Sequence, residues 1–93
     1  MKIVGYIEHP SLKITVFRTG SRTSVKFETS LYEQIFKLGD DERFATLEGV
    51  QKLVDSRMID GVLGGFQQMH RLSLETVARA FPTSANEVFE QII

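Results

Sequence analysis

The sequence contains no cysteine, which excludes disulfides, iron–sulfur clusters and thiolate zinc sites. It has only two histidines, His9 and His70, and neither has a serine or acid at the spacing of a catalytic triad or nucleophile elbow. Its two prolines, Pro10 and Pro82, stand between periodic segments rather than inside them. No apolar run approaches the length of a membrane span. Ile3–Ile7 is too short for a signal peptide and ends at Glu8, so a cytoplasmic location is the expectation. A phosphate-binding loop needs a preceding strand, and a Lys followed by Ser or Thr after its glycines. Gly64 and Gly65 are followed by Phe66 and Gln67 instead, so that chemistry is rejected.

What remains is an ordinary soluble composition. The 93 residues, 42% hydrophobic and 25% charged, suffice for one core without staples, so a single domain over 1–93 is expected. The net charge of −1 hides an imbalance. Residues 1–27 carry five Lys/Arg against Glu8 alone, a net +4, whereas residues 28–93 carry six against eleven Asp/Glu, a net −5.

Three N-terminal segments alternate with period two. Lys2–His9 is rich in β-branched and aromatic residues and is broken by Pro10. Leu12–Thr19 sets Leu12, Ile14 and Val16 against Lys13, Thr15 and Phe17. After a turn at Gly20, Arg22–Glu28 sets Thr23, Val25 and Phe27 against Ser24, Lys26 and Glu28. The pattern predicts an antiparallel meander over residues 1–29. Its core face would hold Ile3, Ile7, Leu12, Ile14, Val16, Val25 and Phe27.

Residues 30–93 read as helical. Ser30 and Glu33 match a capping box, with Leu31, Ile35 and Leu38 on one helical side and Gly39 as the stop. Extension of the third strand through Phe36 is the alternative. Thr46–Asp60 has the cleanest helical period: Val50, Val54 and Met58 fall within about 60° of Leu47. Thr46 is its N-cap and Asp60-Gly61 its stop. A further stripe joins Val62, Phe66 and Met69, interrupted by Gly64-Gly65 at about 1 kcal/mol per glycine relative to alanine. Ser73 would cap a short helix ending at Pro82, and Ser84 with Glu87 would open a last one over 85–93. These last two invite a helix-turn-helix reading. Pro82 in the turn and Glu87 and Glu90 on the second helix argue against it, since carboxylates repel phosphates. Asp40, Asp41 and Glu42 could hold a hard cation, but such runs far more often cap a helix. No metal and no cofactor is expected.

The sequence thus predicts an α+β fold: a three-stranded antiparallel N-terminal β-meander, then four to five helices packed on one sheet face. If Leu12, Ile14 and Val16 face the core, Val4, Tyr6, Lys13, Phe17 and Lys26 share the outer face and form the candidate binding surface. Exposed apolar residues on a small sheet mark association, so the leading expectation is a non-enzymatic module that docks a protein partner or forms a homo-oligomer. Lysines among aromatics could instead bind single-stranded nucleic acid, an alternative that the negative net charge disfavours. A second alternative is a small-molecule regulatory pocket near Gly64, Gly65 and His70.

Overall fold

A computed structural model describes residues 1–82, and four of its segments are strands: β1 (Lys2–Ile7), β2 (Lys13–Thr19), β3 (Arg22–Glu28) and β4 (Glu33–Gly39). They pair antiparallel in the order β1-β2-β3-β4. The chain divides into two compact units, of which Met1–Val62 holds the whole sheet and the other begins at Leu63. Thr19 pairs with Arg22 across a two-residue loop, and Gly20 takes φ 61°, a value that side chains with a Cβ resist.

The fold is α+β, but the count of strands and helices differs from the sequence reading. Residues 33–39 are a fourth strand rather than a helix. The turn before them explains why. The Thr29 hydroxyl accepts hydrogen bonds from the Leu31 and Tyr32 amides, at 3.3 and 3.2 Å, and the Thr29 amide donates to the Tyr32 carbonyl at 2.9 Å. The chain is sent back along β3 before the Ser30–Glu33 box can start a helix. Phe36 then sets its ring edge-on to Phe27, 5.7 Å between centroids, and Gln34 donates to the Val62 carbonyl at 2.9 Å.

The core lies on the inner face. Leu12, Ile14, Val16, Val25 and Phe27 are buried, together with Val50, Val54 and Val62. Leu47 lies so near Gly5 that a Cβ there would meet its Cδ2 at 2.9 Å. Ile3 departs from the expected core set. A bulge between Ile3 and Gly5 shifts the register, so Ile3 stands opposite Phe17 and is 49% exposed.

Between sheet and helices, a single 3-10 turn (Glu42–Phe44) is held by two side chains of the sheet. Arg18 donates to the Ala45 carbonyl at 2.8 Å and to the Thr23 hydroxyl at 3.3 Å. Thr23, itself buried, donates to the Phe44 carbonyl at 2.9 Å.

Two α-helices follow among the described residues, not four to five: α1 (Leu47–Leu53) and α2 (Ser56–Ala80). Thr46 caps α1 through the Gly49 amide at 3.2 Å. The expected helix Thr46–Asp60 is broken, because Val54 leaves helical geometry at ψ 73° and Asp55 caps the next turn through the Met58 amide at 2.8 Å. Nor does α2 stop at Gly61, break at Gly64-Gly65 or restart at Ser73. A glycine stop needs positive φ, which among the described residues only Gly20 and Gly39 adopt. Val62 and Phe66 are buried and Met69, Ser73, Leu74 and Val77 half-buried along one stripe, and this continuity outweighs the glycine cost of about 1 kcal/mol each. Pro82 follows the last turn. The expected helix over 85–93 lies outside the described residues.

The glycines give opposite tests. A Cβ on Gly49 would run into the Arg43 carbonyl oxygen, whereas one on Gly61 meets nothing within 4 Å. We expect Gly61→Ala to stabilise the fold by about 0.5–1 kcal/mol. Gly49→Ala should destabilise it by about 1 kcal/mol or more despite alanine's better helix propensity. Urea denaturation checks both signs. A destabilising Gly61→Ala would mean that the helix does end there.

Candidate functional site

The pleat assigns the outer face by register. Ile3, Phe17, Ser24 and Lys37 form one cross-strand row, and Tyr6, Thr15, Lys26 and Ile35 form the next. Lys13, Glu28 and Glu33 form a third. Tyr6 and Ile35 are each 53% exposed and Phe17 is half-buried, while Thr15 is buried. The Lys13 ammonium lies over the Tyr6 ring at 5.9 Å, and that of Lys26 over the Phe17 ring at 5.3 Å. Lys26 also pairs with Glu28 at 3.4 Å.

Four of the five residues named from the sequence therefore come together: Tyr6, Lys13, Phe17 and Lys26. Val4 does not join their rows. It is the extra residue of the β1 bulge, has no partner on β2, and its place opposite Phe17 is taken by Ile3. Ile35, Glu33 and Lys37 enter the face with β4, which the sequence reading had made helical. Gly5 was the available sign of the bulge, since glycine within a strand often marks one. The two-residue spacing of Glu33, Ile35 and Lys37 was the sign of the strand.

Other candidate groups have structural employment. The Asp41 carboxylate accepts the Arg43 amide at 2.8 Å and binds the Arg43 guanidinium at 3.0 and 2.7 Å, which caps the 3-10 turn. No three His, Asp or Glu side chains gather into a metal-binding group among the described residues. His9 accepts the Ser11 amide on Nδ1 at 3.1 Å and so closes its own turn. Gly64, Gly65 and His70 lie within the unbroken α2. A cleft of about 530 Å³ lies between Arg43, Phe44 and α1, and another of about 450 Å³ between Arg22, Ser24, Lys37 and Asp40. No helix among the described residues is long and apolar enough to cross a membrane. No family model, curated protein or solved structure matches the chain.

The Arg43 side chain, then its amide, hold the Asp41 carboxyl down to about 2 from its ordinary 3.8. A lowered value means that this contribution to stability is complete above the ordinary value and fades as pH falls towards the lowered one. We expect carboxyl-detected NMR to place the Asp41 midpoint near 2, and Arg43→Ala to raise it towards the usual aspartate range but not fully into it, because the backbone amide at position 43 still donates to the carboxylate. A normal midpoint in the wild type would remove the pair.

Proposed function

We propose that this chain is a non-enzymatic interaction module that binds protein, another copy of itself or a different chain, through the outer face of its sheet. The observation that carries the reading is that Ile3, Tyr6, Phe17 and Ile35 all lie on that face, Ile3 beside Phe17 and Ile35 across Lys26 from the others, with three of the four exposed. Apolar surface gains roughly 25 cal/mol per Å² when removed from water, so such a group favours cover by a partner. The lysines and glutamates around it supply a polar rim. A cytoplasmic location is part of the proposal and is supported by the cysteine-free sequence.

Single-stranded nucleic acid remains the second reading, because lysines and rings do alternate here. The cation–π contacts disfavour it. Lys13 and Lys26 lie over the ring faces that bases would stack on, and Lys26 is also neutralised by Glu28.

Size-exclusion chromatography with light scattering tests the leading reading. We expect a mass above that of one 10.6 kDa chain that rises with concentration, and its reduction by Phe17→Asp with unchanged circular dichroism. A strict monomer indifferent to Phe17→Asp would rule out self-association. Salt-sensitive binding of a mixed oligonucleotide, lost in Lys13→Glu, would move the assignment to nucleic acid.

A further inference from the structure

The partner can be specified further, on the assumption that this module binds protein. We propose that a second copy of this chain pairs antiparallel with the edge of β4 that no described strand covers, about a two-fold axis at Ile35, joining two four-stranded sheets into one of eight.

The sheet has two edges, β1 and β4. An edge strand exposes unpaired amides and carbonyls, and a bulge is one of the ways in which such an edge is blunted. β1 carries its bulge in mid-strand, between Ile3 and Gly5. β4 pairs with β3 without a break from Glu33 to Lys37, contains no proline, and exposes Ile35, Phe36 and Lys37. Its own register shift falls after Lys37, at Leu38, so its run from Glu33 to Lys37 is a longer regular edge than the run from Gly5 to Ile7 that the β1 bulge leaves.

The charges on β4 then choose the register. A two-fold contact is isologous, so a residue a given number of places before the axis meets the one the same number after it. With Ile35 at the axis, Ile35 meets Ile35, and Glu33 of each copy meets Lys37 of the other, twice, all on the outer face. On the inner face Gln34 meets Phe36. An axis at Gln34 sets Glu33 against Ile35 and Lys37 against Leu31, and one at Phe36 sets Glu33 against Gly39 and Lys37 against Ile35, so neither forms an ion pair. Within one copy Glu33 stands opposite Glu28, a like-charge pair that disfavours the sheet. Neither Glu33 nor Lys37 has an ion-pair partner among the described residues. The second copy's Lys37 supplies what Glu33 lacks, and the Ile35 pair covers apolar surface that is half exposed in the single chain.

Charge reversal tests this register. Glu33→Lys sets lysine against lysine at both ends of the dimer, and Lys37→Glu sets glutamate against glutamate. We expect each variant alone to associate at least about tenfold more weakly than the wild type, by sedimentation or light scattering at low salt. An equimolar mixture of the two should regain the dimer, because a Glu33→Lys chain meets a Lys37→Glu chain with opposite charges at both ends. The double variant should dimerise by itself. Failure of the mixture to regain mass, or single variants as tightly associated as the wild type, would overturn the pairing. A wild-type dimer broken by Phe17→Asp but untouched by either reversal overturns the β4 contact and leaves the sheet-face reading standing. The reverse pattern upholds the β4 contact and removes the face. A wild type that stays monomeric at all concentrations overturns the β4 contact and the self-association arm of the sheet-face reading together.

Discussion

Two cross-strand pairs, Ile14 with Phe27 and Val16 with Val25, set the parity of the whole sheet. All four side chains are shielded from water almost entirely. A slip of one residue in either strand would turn its apolar set outward and bring Thr15 or Lys26 into the core. Each such side chain gains about 1.5–3 kcal/mol from burial, so the correct register is favoured by several times the thermal energy. The outer face is the other half of the same constraint. Phe17 and Lys26 stand there because their neighbours must stand inside.

The departures from regularity are placed where they serve packing. The β1 bulge sets Gly5 on the inner face, where the absent side chain makes room for Leu47. The same shift places Ile3 beside Phe17 and so enlarges the outer apolar group. Arg18 and Thr23 end the inner rows with polar atoms and use them to satisfy the Phe44 and Ala45 carbonyls. Those two residues translate the sheet's register into the starting point of α1.

Much of this was legible in the chain. The boundaries of β2 and β3 follow from alternation and from Gly20, and Thr46 announces itself as a cap. Tyr6, Lys13, Phe17 and Lys26 share a face as parity requires. Three things were not legible. Ile3 takes the outer-face place expected of Val4, and Val4 is left unpaired, because a bulge is a property of two strands and period-two reading treats each alone. The Ser30–Glu33 signal was outcompeted by Thr29, whose hydroxyl closes a turn only when β3 offers an edge to return to. Val54 interrupts a helical stripe that has no sequence break, while Gly61, Gly64 and Gly65 interrupt nothing, because glycine's penalty of about 1 kcal/mol is small beside the cooperativity of an unbroken helix.

What the sequence determined alone was local: which residues of β2 and β3 point together, where the hairpin turns, and which threonine starts α1. Those are consequences of pleat geometry, glycine's freedom and hydroxyl capping, and each acts within a few residues. Only the tertiary structure decided that residues 33–39 become a strand and that the outer face gains Ile35, Glu33 and Lys37. A strand's hydrogen bonds are made to another strand, so the two-residue spacing of Glu33, Ile35 and Lys37 permits a strand, and only the open edge of β3 decides for it over the helix.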